Sequence, residues 1–316
     1  MDPESSAAVA AAPEGRATAA EWDGGPERLD RAMTRLGLVR SRSRAAEIIA
    51  AGGVRIDGAA ATKAGARVAA GSRIELLASD RYVSRAAHKL LAGLDGFGVE
   101  PRGRIALDVG ASTGGFTQVL LERGAELVQA IDVGHGQLAE ELRGDARVRV
   151  VEGCNARELT PEGLAAATGV AERPSLVVAD LSFISLRLVL PALARTAAED
   201  AEMVLLVKPQ FEVGRVRDGV VTDPSQWAEA IRAVLAAAAG CGLVPLGLAA
   251  SPIAGGNGNR EFLLHLARGE RAGAPGADQR EWEQRIAQLC AVRPDPGLPG
   301  SPARPAGPRQ TEGART

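Results

Sequence analysis

The sequence predicts an α/β protein, a doubly wound sheet with helices on both faces preceded by a small α+β domain. Three observations carry that prediction. From residue 105 to 268, short apolar runs alternate with stretches of helical periodicity. A Gly-rich turn, Gly110-Ala111-Ser112-Thr113-Gly114-Gly115, directly follows the first of those runs. Residues 28 to 77 carry a separate pattern, two short apolar-periodic segments and then three short alternating ones.

With 316 residues and 46% hydrophobic content the chain can bury a substantial core. Residues 1–26, rich in Ala, Pro, Gly and acidic side chains without periodicity, read as a disordered N-terminal tail. Residues 269–316 read as a mostly disordered C-terminal tail, apart from "DQREWEQRIAQLCAV", which suits a short terminal helix. The expected organisation is therefore a small domain at 27–79, a linker at 80–84 and a large domain at 85–268. The N-terminus does not read as a signal peptide, and the long uncharged run from Ala233 is broken by Gly240, Gly242 and Pro245. A helix, a turn and a strand fit that run; a membrane pore former, which needs a spanning or basic amphipathic segment, does not. Cys154, Cys241 and Cys290 are scattered, with neither disulfide nor metal-ligand spacing, so no metal and a cytoplasmic location are expected. The net charge of −2 hides an asymmetry, because residues 28 to 91 hold thirteen basic side chains against five acidic ones. Such a block suits an anionic polymer.

In the small domain, Leu29, Met33 and Leu36 predict one helix before Gly37, and Ala45, Ile48 and Ile49 a second before Gly52-Gly53. "VRID", "ARVA" and "RIELL" predict strands, with Asp57-Gly58 and Ala70-Gly71 as turns. The series "RLD", a glycine, "SRSRA", "GGVRIDG" and "GSRIELL" resembles the S4 RNA-binding domain. That resemblance implies two helices packed on a small sheet and presenting basic residues to structured RNA. Arg28, Arg31, Arg40, Arg42, Arg44, Arg55, Lys63 and Arg85 are the candidate RNA contacts.

In the large domain, "IALDV" predicts a strand ending at Gly110, a helix starts near Gly115-Phe116-Thr117, and "ELVQAID" predicts a second strand ending at Asp132. Further strands are expected at "VRVV", "SLVVADL", "EMVLLVK", "LVPLGLA" and "REFLLHL", with helices between them. In such a sheet ligands lie at the carboxyl ends of the strands. The Gly loop lacks both the dinucleotide G-x-G-x-x-G spacing and a phosphate cradle with "GK[ST]", so it suits a ligand without phosphates. Asp132, about twenty residues on, stands where a carboxylate binds ribose hydroxyls. A nucleoside without phosphates points to S-adenosylmethionine. Its candidate contacts are Asp108, Gly110, Ser112, Thr113, Gly114, Gly115, Phe116, Thr117, Asp132, Asn155 and Asp180.

"YVSRAAHKL", "LDVGASTGGFTQVLL", "AIDVGHGQL", "VVADLSFISL", "VLLVKPQFEVGR" and "NREFLLHL", in that order, resemble the TlyA family of ribosomal RNA 2'-O-methyltransferases, an S4 domain joined to an FtsJ-like methyltransferase. The resemblance spans about residues 28 to 268. It implies a Rossmann-like, S-adenosylmethionine-dependent sheet, ribosomal RNA or ribosomal subunits as partners, and a cytidine ribose in small- or large-subunit rRNA as substrate. It also implies a catalytic set that falls on Lys89, Asp180, Lys208 and Glu261. The chain departs from the family in "SRAAHKL", where Ala86-Ala87 replaces Gly-Gly.

A ribose 2'-hydroxyl is a weak nucleophile, so the reaction needs deprotonation and alignment. The chain has thirty-seven basic residues and only three are lysines, Lys63, Lys89 and Lys208. An ammonium gives up its proton far more readily than a guanidinium, which makes Lys208, at the end of a buried strand, the expected general base or the group that steers the attacking oxygen. Asp180 would orient it, and Lys89 and Glu261 would position the ribose and tune the network. His88, next to Lys89, is a rival base, and "LLASDRYVSR" at 76–85 is an expected compact hinge coupling RNA docking to cofactor binding, to be tested by substituting residues 81–84. The alternative function is a non-catalytic S4 protein that binds RNA or the ribosome.

Overall fold

In the first unit the predicted periodicities become two helices and two small sheets. The computed structural model describes residues 19–39, 41–50, 53–76, 82–214, 216, 219–255, 258–268 and 279–291. These fall into two compact units divided between Arg81 and Tyr82. In chain order the first holds β1 (Ala19–Glu21), β2 (Glu27–Arg28), α1 (Leu29–Arg35), α2 (Arg42–Ala50), β3 (Val54–Ile56), β4 (Ala59–Ala60), β5 (Arg67–Val68) and β6 (Arg73–Leu76). The sheet order is β1-β6-β3-β4, with β2 and β5 forming a separate pair. Asp57 and Gly58 both take positive φ, 51° and 80°, which matches the twist of a two-residue hairpin between β3 and β4. Leu29, Met33, Ile49 and Ile74 are fully buried between helices and sheet.

One expectation is corrected here. Part of the proposed N-terminal tail is ordered: β1 pairs antiparallel with β6, and Trp22 is 4% exposed. An edge strand needs only a free backbone edge to pair with. One tryptophan then buries enough apolar surface to hold it despite the alanine-rich sequence around it. Residues 1–18 and Arg40 lie outside the described residues.

The second unit contains α3 (Ala86–Phe97), β7 (Ile105–Val109), α4 (Gly115–Glu122), β8 (Leu127–Ile131), α5 (Glu140–Arg143), β9 (Val148–Val151), α6 (Pro161–Thr168) and β10 (Leu176–Ala179). It continues with α7 (Leu190–Thr196), β11 (Glu202–Val207), α8 (Pro209–Glu212), α9 (Pro224–Gly240), β12 (Leu243–Ala250), β13 (Phe262–Arg268) and α10 (Gln279–Ala291). The strand order is β12-β13-β11-β10-β7-β8-β9. All neighbours from β11 to β9 are parallel, while β13 runs antiparallel to β11 and β12, a mixture that the apolar runs alone do not reveal. Strands β7, β10 and β11 are near-continuous apolar runs because both faces are covered. Leu107, Val177 and Leu205 serve the core on one face, and Ala106, Val178 and Val204 the core on the other.

The order reverses between β7 and β10, so the loops leaving those strands splay apart and open a crevice at their carboxyl ends. Residues 82–84, expected to be linker, pack on α4: Tyr82 is buried and Gln118 Oε1 accepts the Val83 N–H at 2.8 Å. At the other end the expected terminal helix, α10, buries Ile286 and Cys290 in the sheet's core and pairs Glu283 with Arg232 on α9 at 2.7 Å. Among the described residues no helix is long and apolar enough to cross a membrane.

Candidate active site

Four chain segments deliver charged side chains to the carboxyl edge of the sheet. Asp180 follows β10, Lys208 follows β11, Glu261 precedes β13, and Lys89 comes from the first turn of α3. Because β13 is antiparallel, its start lies beside the end of β11, with Phe262 opposite Val207. Glu261 and Lys208, fifty-three positions apart, thus become neighbours.

The four form one chain of contacts. Lys208 Nζ lies 2.7 Å from Asp180 Oδ1, Asp180 Oδ2 lies 3.3 Å from Lys89 Nζ, and Lys89 Nζ donates to Glu261 Oε2 at 2.7 Å. Both lysine side chains are 8% exposed. Two cations face two carboxylates, and this balance is what lets four charges stay buried. Burial works against charge on Lys89, but Asp180 and Glu261 outweigh it and raise its pKa. Burial likewise opposes charge on Asp180, yet Lys89 and Lys208 hold its carboxyl below the ordinary value. Lys89 is thereby held as a cation, and Lys208 Nζ also donates to Ser182 Oγ at 2.9 Å.

Ala86 and Ala87 do not keep α3 away from the Gly loop. Ala87 is fully buried, and the close approach is provided by Gly115, where an added Cβ would lie 2.9 Å from Ser84 Cβ and 3.2 Å from the Ala87 nitrogen. The His88 ring lies edge-on to Tyr82 at 5.5 Å.

The Gly loop makes the second half of the site. Gly114 has φ 97° and an added Cβ would collide with Leu142 and Leu138, so only glycine fits there. Ser112 takes φ 48°, and its N–H donates to Asp132 Oδ2 at 2.8 Å, while the Gly134 N–H donates to Oδ1 at 2.7 Å. A pocket beside this carboxylate is lined by Ala111, Ser112, Gly134, Gln137, Leu138 and Val151, with Glu152 also on its wall. It contains two carboxylates and no basic side chain, a setting that repels phosphate and suits an uncharged ribose or a cationic ligand. The residues therefore fit S-adenosylmethionine, with Asp132 for the ribose and the apolar wall for the base. Gln137, Leu138 and Glu152 were absent from the sequence-based set, although "DVGHGQL" places the first two close behind Asp132.

Other expected cofactor contacts sit differently. Phe116 is core, and Thr117 is fully buried, its hydroxyl donating to Asp108 Oδ2 at 2.6 Å. Asp108 lies beneath the loop with its Oδ1 lacking a hydrogen-bond partner among the described residues, and burial pushes its pKa up to about 7. Thr113 accepts from the Ala139 N–H at 3.2 Å through its carbonyl. Asn155 caps the short helical turn 156–158, accepting from the Arg157 N–H at 3.3 Å, and is not on the pocket wall. Phe183 was missed. It is 93% exposed beside the charged network, at φ 65°, with Phe211 behind it at 5.7 Å. In sequence it is one apolar letter in "LSFISL", with nothing to mark it as exposed.

In the first unit Asp30 gathers two of the expected RNA-contacting arginines. Its carboxylate takes Arg28 Nε at 3.0 Å and Arg42 Nη2 at 3.2 Å. Hydrogen bonding to Arg28, opposed by burial and aided by Arg42, lowers its pKa. The Arg28 and Arg42 side chains remain 47% and 54% exposed. Arg31 lies 3.8 Å from Glu27, Arg44 is partly buried, and Arg55 and Lys63 are exposed. Arg85 precedes α3 in the second unit.

The sequence model of the FtsJ-like methyltransferases matches residues 82–268, and that of the S4 domain matches residues 27–74. The chain is 51% identical over 244 residues to the 16S/23S rRNA (cytidine-2'-O)-methyltransferase TlyA of Mycobacterium tuberculosis, covering 76% of this chain and 89% of the relative. A solved chain from Streptococcus thermophilus, described as a hemolysin, superposes with a TM-score of 0.65 at 39% identity, covering 84% of this chain and 95% of that one. A second, from Lactococcus lactis, gives 0.61 at 41% identity, covering 67% and 98%.

Proposed function

The chain belongs to the TlyA family of S4-linked, FtsJ-like methyltransferases, and from that premise we propose that it methylates the ribose 2'-hydroxyl of a cytidine in ribosomal RNA. The observation that carries the reading is the continuous contact chain Lys208, Asp180, Lys89, Glu261 at the crevice edge. S-adenosylmethionine, when bound, supplies a methyl group on a positively charged sulfur, reactive enough to need no leaving-group assistance. Asp132 and the Gly110–Gly115 loop hold the nucleoside, and the acidic wall favours its net positive charge over the negative charge of a nucleotide.

The remaining work belongs to the chain's own residues. Lys208, in its amine form, accepts the hydroxyl proton at Nζ as the oxygen attacks. Asp180 fixes the direction of that nitrogen, and the permanently charged Lys89, itself held by Glu261, fixes Asp180. Taking the proton onto Nζ restores the two-against-two charge balance of the network, which favours the step electrostatically. The exposed ring of Phe183 offers a face on which an unpaired base can stack, as single-stranded RNA recognition requires. Arg28 and Arg42 hold backbone phosphates of the ribosomal RNA or of an intact subunit.

The test is incubation of the protein with radiolabelled S-adenosylmethionine and either ribosomal subunits or naked rRNA, followed by alkaline hydrolysis. A 2'-O-methyl group blocks cleavage at its own nucleotide, so label is expected in alkali-resistant dinucleotides. Bound RNA with no transfer of label contradicts the proposal and favours a non-catalytic RNA-binding role.

A further inference from the structure

Glu212 ends α8, four residues after Lys208, and the chemistry above makes no use of it. Its side chain is 1% exposed. Oε2 accepts from Ser185 Oγ at 2.6 Å and from Arg187 Nε at 3.1 Å, Oε1 accepts the Leu186 N–H at 2.6 Å, and Arg187 Nη2 donates to the Glu212 carbonyl at 2.9 Å. Every one of these contacts goes to a single segment, residues 185–187. A buried carboxylate is costly unless its hydrogen bonds are filled, and an apolar side chain would hold a four-residue helix in the core more simply.

The same two segments meet a second time at the reaction edge. Lys208 Nζ touches Asp180 at 2.7 Å and Ser182 Oγ at 2.9 Å, and the Phe183 and Phe211 rings lie 5.7 Å apart. Between the two fastenings the chain passes through Phe183 at φ 65°, a conformation a phenylalanine keeps only when its surroundings impose it. The Lys208–Asp180 contact alone does not impose it, because those side chains can follow each other while the loop relaxes. Glu212 acts on the loop's far side and removes that freedom.

We propose that Glu212 is a positioning residue for methyl transfer: its buried carboxylate fastens the 180–187 loop to the 208–212 turn, so that Asp180, Lys208 and the Phe183 ring keep one fixed arrangement. The inference rests on the methyltransferase reading above. Small misplacements of reacting groups are expensive in rate and cheap in binding, so the signature is in kcat.

The experiment compares the full-length wild-type chain with Glu212→Ala, Glu212→Gln and Ser185→Ala. Single-turnover methyl transfer to ribosomal subunits, KM for the subunits, the Kd of S-adenosylmethionine and Tm are measured for each. Glu212→Ala is expected to lower kcat by roughly a hundredfold. Glu212→Gln should recover part of that loss, because its amide oxygen still accepts the Leu186 N–H, and Ser185→Ala should lose least. KM should change far less than kcat, because the Phe183 ring is only one of several RNA contacts, and the cofactor Kd should stay within about twofold, because the Asp132 pocket includes neither segment. Two results overturn the proposal: kcat within about twofold of wild type in the Gln and Ser185→Ala variants, or kcat and cofactor affinity falling and KM rising together in step with Tm, the mark of a merely structural carboxylate. Should Glu212→Ala fail to fold, the other two variants decide between these outcomes. A wild-type chain that transfers no methyl group would instead overturn the underlying reading, and this inference with it.

Discussion

Asp30 and Asp180 each hold two cations, and the pairs differ in kind. Asp30, in the first unit, holds two arginines that keep about half of each side chain in solvent. Asp180, in the second, holds two lysines that are almost fully enclosed. A guanidinium offers five donors and cannot be deprotonated, so with two spent on Asp30 by Arg28 and one by Arg42 the rest are available to an external phosphate. An ammonium has only three donors but can exchange its proton. In a chain that uses arginine almost everywhere, the proposed mechanism puts proton exchange on Lys208, a held positive charge on Lys89, and grip on the arginines. The third lysine, Lys63, is exposed in the first unit, so lysine as such is no marker of the site; an enclosed lysine beside a carboxylate is.

The comparison breaks most severely at Asp180. Asp180→Asn leaves two buried ammonium groups facing each other with one carboxylate fewer, and methyl transfer should fall by about a thousandfold, within the range for loss of positioned proton-transfer machinery. Affinity for RNA, measured by filter binding, should not change. A proportional loss of RNA binding would show that the lysine cluster grips as well as reacts.

A smaller effect is expected at Asp30. Asp30→Asn frees Arg28 and Arg42 without removing them, and should weaken RNA binding roughly tenfold, about 1.4 kcal/mol. The slope of log K against log salt should persist, because the number of phosphate contacts is unchanged. Unaltered affinity would mean that the arginines need no organising.

The smallest effect concerns stability. Asp108 is buried with its pKa raised to about 7, against 3.8 for an ordinary carboxyl. Between those values the unfolded chain has released a proton that the folded chain retains, so stability declines as pH rises through this window and the loss is complete above about pH 7. Asp108→Asn removes that loss and still accepts the Thr117 hydrogen bond. Its Tm should exceed that of wild type at pH 8, and the gap should close steadily towards pH 4. A gap independent of pH would place the effect in packing.

Much of the large sheet was legible because each strand is an apolar run bounded by a glycine, a proline or a charge. The Gly loop was legible because its backbone conformations demand those residues. The four charged residues were not singled out by local pattern; it took family resemblance, and the antiparallel β13, to bring Glu261 beside Lys208. Trp22 was lost in an alanine-rich tail, since one anchor residue gives no periodicity. Phe183 was not singled out, because exposure at a strained φ leaves no mark on composition. Asp30 and Glu212 were visible only as charges, because what each holds lies in another segment whose direction the sequence does not state.

The central claim, Lys208 for proton exchange and arginine for grip, is tested most directly by a reciprocal exchange in one assay. Lys208→Arg and Arg42→Lys each keep the charge. With single-turnover methyl transfer and RNA affinity measured on both, Lys208→Arg should lose transfer by at least about a hundredfold with RNA affinity unchanged. Arg42→Lys should weaken RNA binding while transferring at the wild-type rate once RNA is saturating. Near-normal transfer by Lys208→Arg would contradict the account.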